Sequence, residues 1–132
     1  MTEPRRIDPV YRTGYNGTGG TLSKGTIVNR RGAGGIDDEI VAATAATDPY
    51  MGILANDILN SEYGDVQVGG VGVALAGSSG VTVGDRIMWE TVADCIPCTS
   101  GNAILGIALT TAGSGEYFEI ELVAGGGGPE MP

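Results

Sequence analysis

The chain has no histidine. That removes the side chain used most often for acid–base catalysis near neutral pH, and the commonest metal ligand. Aromatic residues make up only 5% of the 132 residues, with Trp89 and Phe118 the single members of their kinds. A core must therefore be built from small aliphatic side chains, which bury little area each. Association between copies is one way to supply burial that a lone subunit lacks. No apolar run reaches the roughly 20 residues of a membrane span. Residues 1–14 lack the apolar stretch of a secretory signal, so synthesis and retention in a cytoplasm is expected. The motifs of nucleotide-binding and hydrolytic enzymes are also missing: no phosphate loop, no dinucleotide fingerprint and no Gly-x-Ser-x-Gly.

Cysteine is scarce too, with only Cys95 and Cys98, in the order Cys-Ile-Pro-Cys. A zinc site needs a second pair or histidines, and a thioredoxin-type site needs a helix start in a βαβ setting. Neither context is present, so these residues read as small thiols on a strand or turn. A local disulfide, or a metal shared between subunits, is the alternative. No cofactor is expected.

Basic residues are few and sit at one end. The formal charge is −9. Residues 1–31 hold six Lys and Arg against two acids, net +4, whereas residues 32–132 hold Arg86 against fourteen acids, net −13. An acidic body repels phosphate, so neither nucleic acid nor a membrane is expected as partner. The basic head suits an acidic protein surface; a solubilising surface with a few arginines near one end is the plainer reading.

What the chain has in abundance is glycine, 24 residues, set between short apolar runs. Segments 22–28, 39–43, 51–55, 65–75, 81–89, 93–97, 104–109 and 117–123 read as strands, and the alternation in 65–75 is the clearest. Residues 56–63 read as a short helical turn or a long loop. Gly77 to Gly80 and Gly113 to Gly115 read as tight turns. No long amphipathic helix is present. The fold class expected is all-β, a small barrel or sandwich, with a body spanning 21–124. Residues 1–20, with two prolines, four glycines and three arginines, read as an extended N-terminal arm. Ile7, Val10, Tyr11 and Tyr15 are its apolar anchors, and an arm folded back on its own domain is the alternative. Residues 125–132 read as a flexible Gly-rich tail.

Two pieces occur twice in the same order. Leu22-x-x-Gly25-Thr26-x-Val28 matches Val81-x-x-Gly84-Asp85-x-Ile87, and Met51-Gly52-Ile53 matches Leu105-Gly106-Ile107. Two such halves closing one small barrel is the expectation.

These pieces, taken with Val66 to Val73 and Tyr117 to Leu122, resemble in their order the small capsid decoration (cement) proteins of bacteriophages, from about Gly20 to Val123. The resemblance implies a β-rich body, a homotrimer and attachment to the major capsid protein outside an icosahedral shell. It also implies bracing of that shell against packaged DNA, and location in the virion. Arg5, Arg6, Val10, Tyr11, Arg12 and Tyr15 are then the candidate capsid-binding arm. Gly69, Gly70 and Gly72 are candidates for a subunit interface, or for relief of crowding within the barrel. No catalytic motif carries over.

Two other readings compete. A carbohydrate- or peptide-binding β module has only Trp89 with Glu90, and Tyr63 with Asp65, to offer. An enzyme has only the Gly77-Ser78 and Gly113-Ser114 steps, which turns explain, and the acidic run Asp37, Asp38, Glu39, which reads as a solvated loop.

Overall fold

The computed structural model describes residues 8–31, 38–44, 50–91, 94–99 and 101–123. The fold is all-β; among the described residues there is no helix, and so none that is long and apolar enough to cross a membrane. Nine strands form: β1 (Val10–Asn16), β2 (Ile27–Arg30), β3 (Glu39–Ala42), β4 (Gly52–Leu54), β5 (Tyr63–Ala76), β6 (Arg86–Thr91), β7 (Asp94–Pro97), β8 (Gly106–Ala108) and β9 (Tyr117–Leu122).

The pairings close two rings. The first runs β1–β3–β2–β4–β5 and returns to β1; the second runs β5–β7–β6–β8–β9 and returns to β5. The 14-residue β5 belongs to both, its first half to one ring and its second half to the other. It is bent near its middle, where the Gln67 amide donates to the carbonyls of Gly69 and Val71 and lies against Gly72. The internal repeat is therefore real, but each half closes its own small barrel rather than half of one.

Strand for strand, β1, β2, β3, β4 and the start of β5 correspond to the end of β5, β6, β7, β8 and β9. In each half one pairing is parallel, β1 with β3 and β5 with β7, and the rest are antiparallel. An isolated bridge, Leu22 with Ile58, recurs as Val81 with Ala112. Gly25 (φ 89°) donates its N–H to the Leu54 carbonyl at 2.9 Å, and Gly84 (φ 92°) does the same to Ala108 at 2.8 Å. The left-handed turn before β2 and β6 is what requires glycine at both places.

The cores correspond as well. Leu22, Val28, Ile40, Met51, Leu54, Ile58, Val66 and Val68 fill the first ring. Their counterparts Val81, Ile87, Cys95, Leu105, Ala108, Ala112, Ile120 and Leu122 are all buried in the second. The second set is smaller, and Phe118 fills the difference. Its counterpart is Gly64, where a Cβ would stand 2.5 Å from Ile58 Cγ1. Ala112, which takes the place of Ile58, leaves that room free for an aromatic ring. The rings also share a core: Ile27, Tyr50 and Ile53 of the first half join the cluster of the second, and the Trp89 amide donates to the Tyr50 hydroxyl at 3.1 Å. Each large side chain buried there contributes about 1.5–3 kcal/mol.

β1 lies within what the sequence presents as an arm. Residues 10–16 pair with β3 and β5, so this part folds back on its own domain. Its far end is fastened by Asn16, which is fully buried. Asn16 Nδ2 donates to the carbonyls of Gly20 (2.7 Å) and Ile58 (2.8 Å), and Oδ1 accepts from the Thr18 amide (3.0 Å) and hydroxyl (2.7 Å). Residues 1–7 and the tail at 125–132 lie outside the described residues.

Two outcomes check this architecture by thermal or denaturant unfolding. Asn16→Asp removes both donations and sets a charge against two carbonyls; a loss of about 2–4 kcal/mol is expected. Gly52 and Gly106 each abut the backbone carbonyl of the neighbouring strand, Gln67 and Glu121 respectively. Alanine at either should cost about 3 kcal/mol or more, and by similar amounts, whereas Gly69→Ala, whose nearest atom is Val10 Cβ at 3.5 Å, should cost under about 1 kcal/mol.

Candidate docking surface

Both rings close through β5, but β1 pairs with β3 only at Tyr15 and Asn16, so among the described residues 10–14 are paired on one side alone, with β5. Recognition by the described residues can use that side of β1 or side chains on an outer face. In β5 the buried positions are even-numbered throughout: Val66, Val68, Gly70, Ala74 and Ala76. The odd-numbered side chains from Tyr63 to Leu75 are exposed or half-buried; Gln67 stands opposite Ile53, a member of the second core, and its amide lies over Gly72. β1 and β9 lie end to end beside β5. Asp8 and Pro9 cover Gly70, and Leu122 pairs with the same glycine. The two described ends of the chain thus meet at the waist between the rings.

The outer face of this layer carries cross-strand pairs. Tyr15 stands opposite Tyr63 and Tyr11 opposite Gln67 in the first ring; Val73 stands opposite Glu119 and Leu75 opposite Tyr117 in the second. The Tyr15 and Tyr63 rings lie 4.9 Å apart at a 54° tilt. Tyr63 is 63% exposed, Tyr117 71% and Val73 58%. Val10, Tyr11 and Arg12 are exposed on β1, while Tyr15 is half-buried. Arg5 and Arg6 lie outside the described residues. Of the candidate arm, the structure thus brings Val10, Tyr11, Arg12 and Tyr15 together on one strand.

The three glycines singled out in β5 have neighbours within the chain. Gly70 (φ 77°) takes a left-handed turn directly beneath the Asp8 carbonyl. Gly72 lies under the Gln67 amide group, with Oε1 2.7 Å from where a Cβ would be, and Gly69 faces Val10. Crowding at the waist accounts for the first two.

Other sequence candidates have structural partners. Glu90 holds the Gly77–Gly80 turn: Oε2 accepts from the Ser78 hydroxyl at 2.6 Å and Oε1 from its amide at 3.0 Å. These bonds, the hydroxyl first, hold its carboxyl below the ordinary 4.5. Trp89 is half-buried and packs against the second core. Asp37 lies outside the described residues, Asp38 (φ 64°) is in a turn, and Glu39 is buried with Oε2 2.7 Å from Arg31 Nη1. Among the described residues no group of three or more acids or cysteines is placed to hold a metal.

Cys95 corresponds to Ile40 and acts as a core side chain. Burial, with Asp94 and Glu90 nearby, pushes its thiol up to about 12. Cys98 is half-buried, its Sγ 3.6 Å from the carbonyls of Thr99, Asn102 and Ala103; desolvation raises its thiol too. Extended backbone sets the two Cα atoms about 10 Å apart, beyond the reach of a disulfide. Both thiols are free.

With the fold in view, similarity to known structures becomes informative. The chain is similar to the crystal structure of the head fiber gp8.5 N base of bacteriophage phi29, with a TM-score of 0.64 at 18% identity, covering 87% of this chain and 94% of that one. At that identity the likeness is one of fold. No protein-family model and no curated protein matches the sequence.

The thiols give a direct check. Native protein should take up at most one equivalent of a thiol reagent, at Cys98, and two after unfolding in urea. A folded Cys95 pKa above the ordinary 9.0 means that its protonated form supports the fold fully below about pH 9. That support is lost as pH rises toward about 12, and Cys95→Val should flatten the alkaline limb of a stability–pH curve. Two thiols reacting in the native state contradicts the placement of Cys95.

Proposed function

We propose that this chain is a structural protein of a bacteriophage head. In this reading it binds the outer surface of the icosahedral capsid as a homotrimer, with the major capsid protein as partner, and stabilises the shell against the pressure of packaged DNA. It changes no covalent bond. The observation that carries the reading is the fold: two closed five-stranded rings sharing one strand, over nearly the whole length of a phage head fiber base. The order of glycine-punctuated strands, which resembles capsid decoration proteins, points the same way.

Attachment begins with the leading segment. Arg5 and Arg6 pair with carboxylates of the shell, and such exposed pairs steer and orient more than they hold. Val10, Tyr11, Arg12 and Tyr15 act from β1, a fixed part of the body. Three copies of a weak contact on one trimer raise overall avidity by about 10²–10⁴ over a single copy.

The test uses shells prepared without this protein, mixed with the purified chain, sedimented and imaged. Decoration at regular surface positions is expected, with a trimer mass by light scattering. Removing residues 1–7 leaves β1 whole, so the truncated chain should keep its melting temperature and its mass while binding falls by about tenfold or more. Removing residues 1–19 instead takes β1 out of the first ring and should unfold it. Bare shells after mixing with the intact chain overturn the reading.

A further inference from the structure

We infer that the open side of β1 is a docking edge: it accepts one extended segment of the shell protein as an added strand, with an Asp or Glu of that segment set against Arg12. This rests on the reading of the chain as a capsid-binding protein.

The edge follows from where the backbone groups point. The Asn16 amide donates to the Glu62 carbonyl at 2.9 Å, and the Tyr15 amide donates to the Asp38 carbonyl at 2.8 Å. Successive residues of an extended strand turn their N–H and C=O to opposite sides. Arg12 and Gly14 therefore share the side of Asn16 and serve the pairing with β5, where they stand opposite Val66 and Gly64. Tyr11 and Thr13 share the side of Tyr15, along which β3 reaches only Tyr15 and Asn16. Asp38, directly before β3, is left-handed (φ 64°), which breaks the line of that strand at its start. Among the described residues nothing pairs with the Tyr11 and Thr13 backbone on this side.

The second ring supplies the comparison. There the equivalent of β1 is the second half of β5, with Val71 in place of Tyr11 and Val73 in place of Thr13. β7 again reaches only Leu75 and Ala76. The open side is partly filled from within: Gln67 Nε2 donates to the carbonyls of Gly69 at 3.1 Å and Val71 at 3.0 Å. Among the described residues no side chain does the same for β1. One backbone plan thus carries an edge that the chain partly caps itself and an edge that it leaves open. An open edge is a template for a strand from another chain. Val10, Tyr11, Arg12 and Thr13, which flank it, are all exposed.

Charge and register select the occupant. Arg12 is exposed, and among the described residues no acid pairs with it. In an antiparallel strand bonded to Tyr11 and Thr13, the residue facing Arg12 forms a close non-hydrogen-bonded pair, about 4.5 Å between Cα atoms. A carboxylate is favourable there and a second cation is not. A second copy of β1 fails on this point. Two-fold pairing that uses both Tyr11 and Thr13 centres on Arg12 and sets that cation against its own copy. Centring on Tyr11 brings in Pro9, which has no N–H, and centring on Thr13 brings in Tyr15, whose N–H is held by Asp38. The segment that fits belongs to a different chain, with β-branched or aromatic residues opposite Tyr11 and Thr13 and an acid between them.

The experiment uses the full chain and shells prepared without it. In the free chain, amide exchange should be fast at Tyr11 and Thr13 and slow at Arg12 and Gly14. Slow exchange at Thr13 overturns the inference, because the chain then covers this edge itself. Thr13→Pro removes a donor on the open side only, where an edge strand tolerates proline. Arg12→Glu leaves every backbone bond in place. Both variants should stay folded with the wild-type mass in solution, and each should sediment with shells at least about tenfold less well than wild type. Thr13→Val keeps the donor and should bind as wild type does. Full decoration by either folded variant overturns the inference and leaves the capsid reading intact. If Thr13→Pro does not fold, Arg12→Glu and the exchange rates decide. A folded variant that loses its oligomeric mass also overturns the inference, because the edge then joins copies of this chain. Wild-type protein that leaves shells bare overturns the capsid reading itself.

Discussion

One strand belongs to two barrels, and most of the molecule follows from that. β5 lends its first half to one ring and its second half to the other, with the same parity of inward side chains throughout. Neither ring closes without it. Its buried residues join the two cores, Val66 and Val68 in one and Ala74 and Ala76 in the other. Because β1 and β9 lie end to end beside it, the two described ends of the chain come together at the waist. Gly70 is the point at which these demands collide: the backbone of Asp8 and Pro9 on one side, the pairing with Leu122 on the other.

The two halves show how one backbone plan accepts different fillings. Ile40, Leu54 and Ile58 on one side are answered by Cys95, Ala108 and Ala112 on the other. The lost volume returns as Phe118 where the first half has Gly64. Cores tolerate such exchange when total volume and pattern are kept. The outer faces have diverged further. The first ring shows Tyr11, Tyr15 and Tyr63; the second shows valines, Leu75 and Tyr117 between glutamates. Core volume does not dictate those outer choices.

Much of this is legible in the amino-acid order. The paired Gly25 and Gly84, and Gly52 and Gly106, announce the repeat because a left-handed turn and a close strand crossing admit little else. The apolar runs place eight of the nine strands. β1 escapes because its only buried residues are Gly14 and Asn16, which carry no hydrophobic periodicity. What holds it is backbone pairing and the four side-chain hydrogen bonds of Asn16. The face on β5 does leave a trace: large apolar residues fall on even numbers through Val68 and on odd numbers from Val71. Read as periodicity alone, that shift passes for a register change around Gly69 and Gly70. In the structure the pairing with β1 does shift there, between Val10 and Tyr11, and beyond it Ala74 and Ala76 are buried while Val73 is exposed. The number of rings is not legible, since nothing local says that β5 is one strand rather than two.

The load-bearing role proposed for the protein requires that the two rings act as one body. Native-state hydrogen exchange along β5 is the most direct measurement of this. The account predicts that the amides of Val66, Val68, Gly72 and Ala74 exchange only by global unfolding, with one common free energy across the waist. Protection that differs between Val68 and Gly72 by more than about 1 kcal/mol, with one ring opening while the other stays closed, contradicts it.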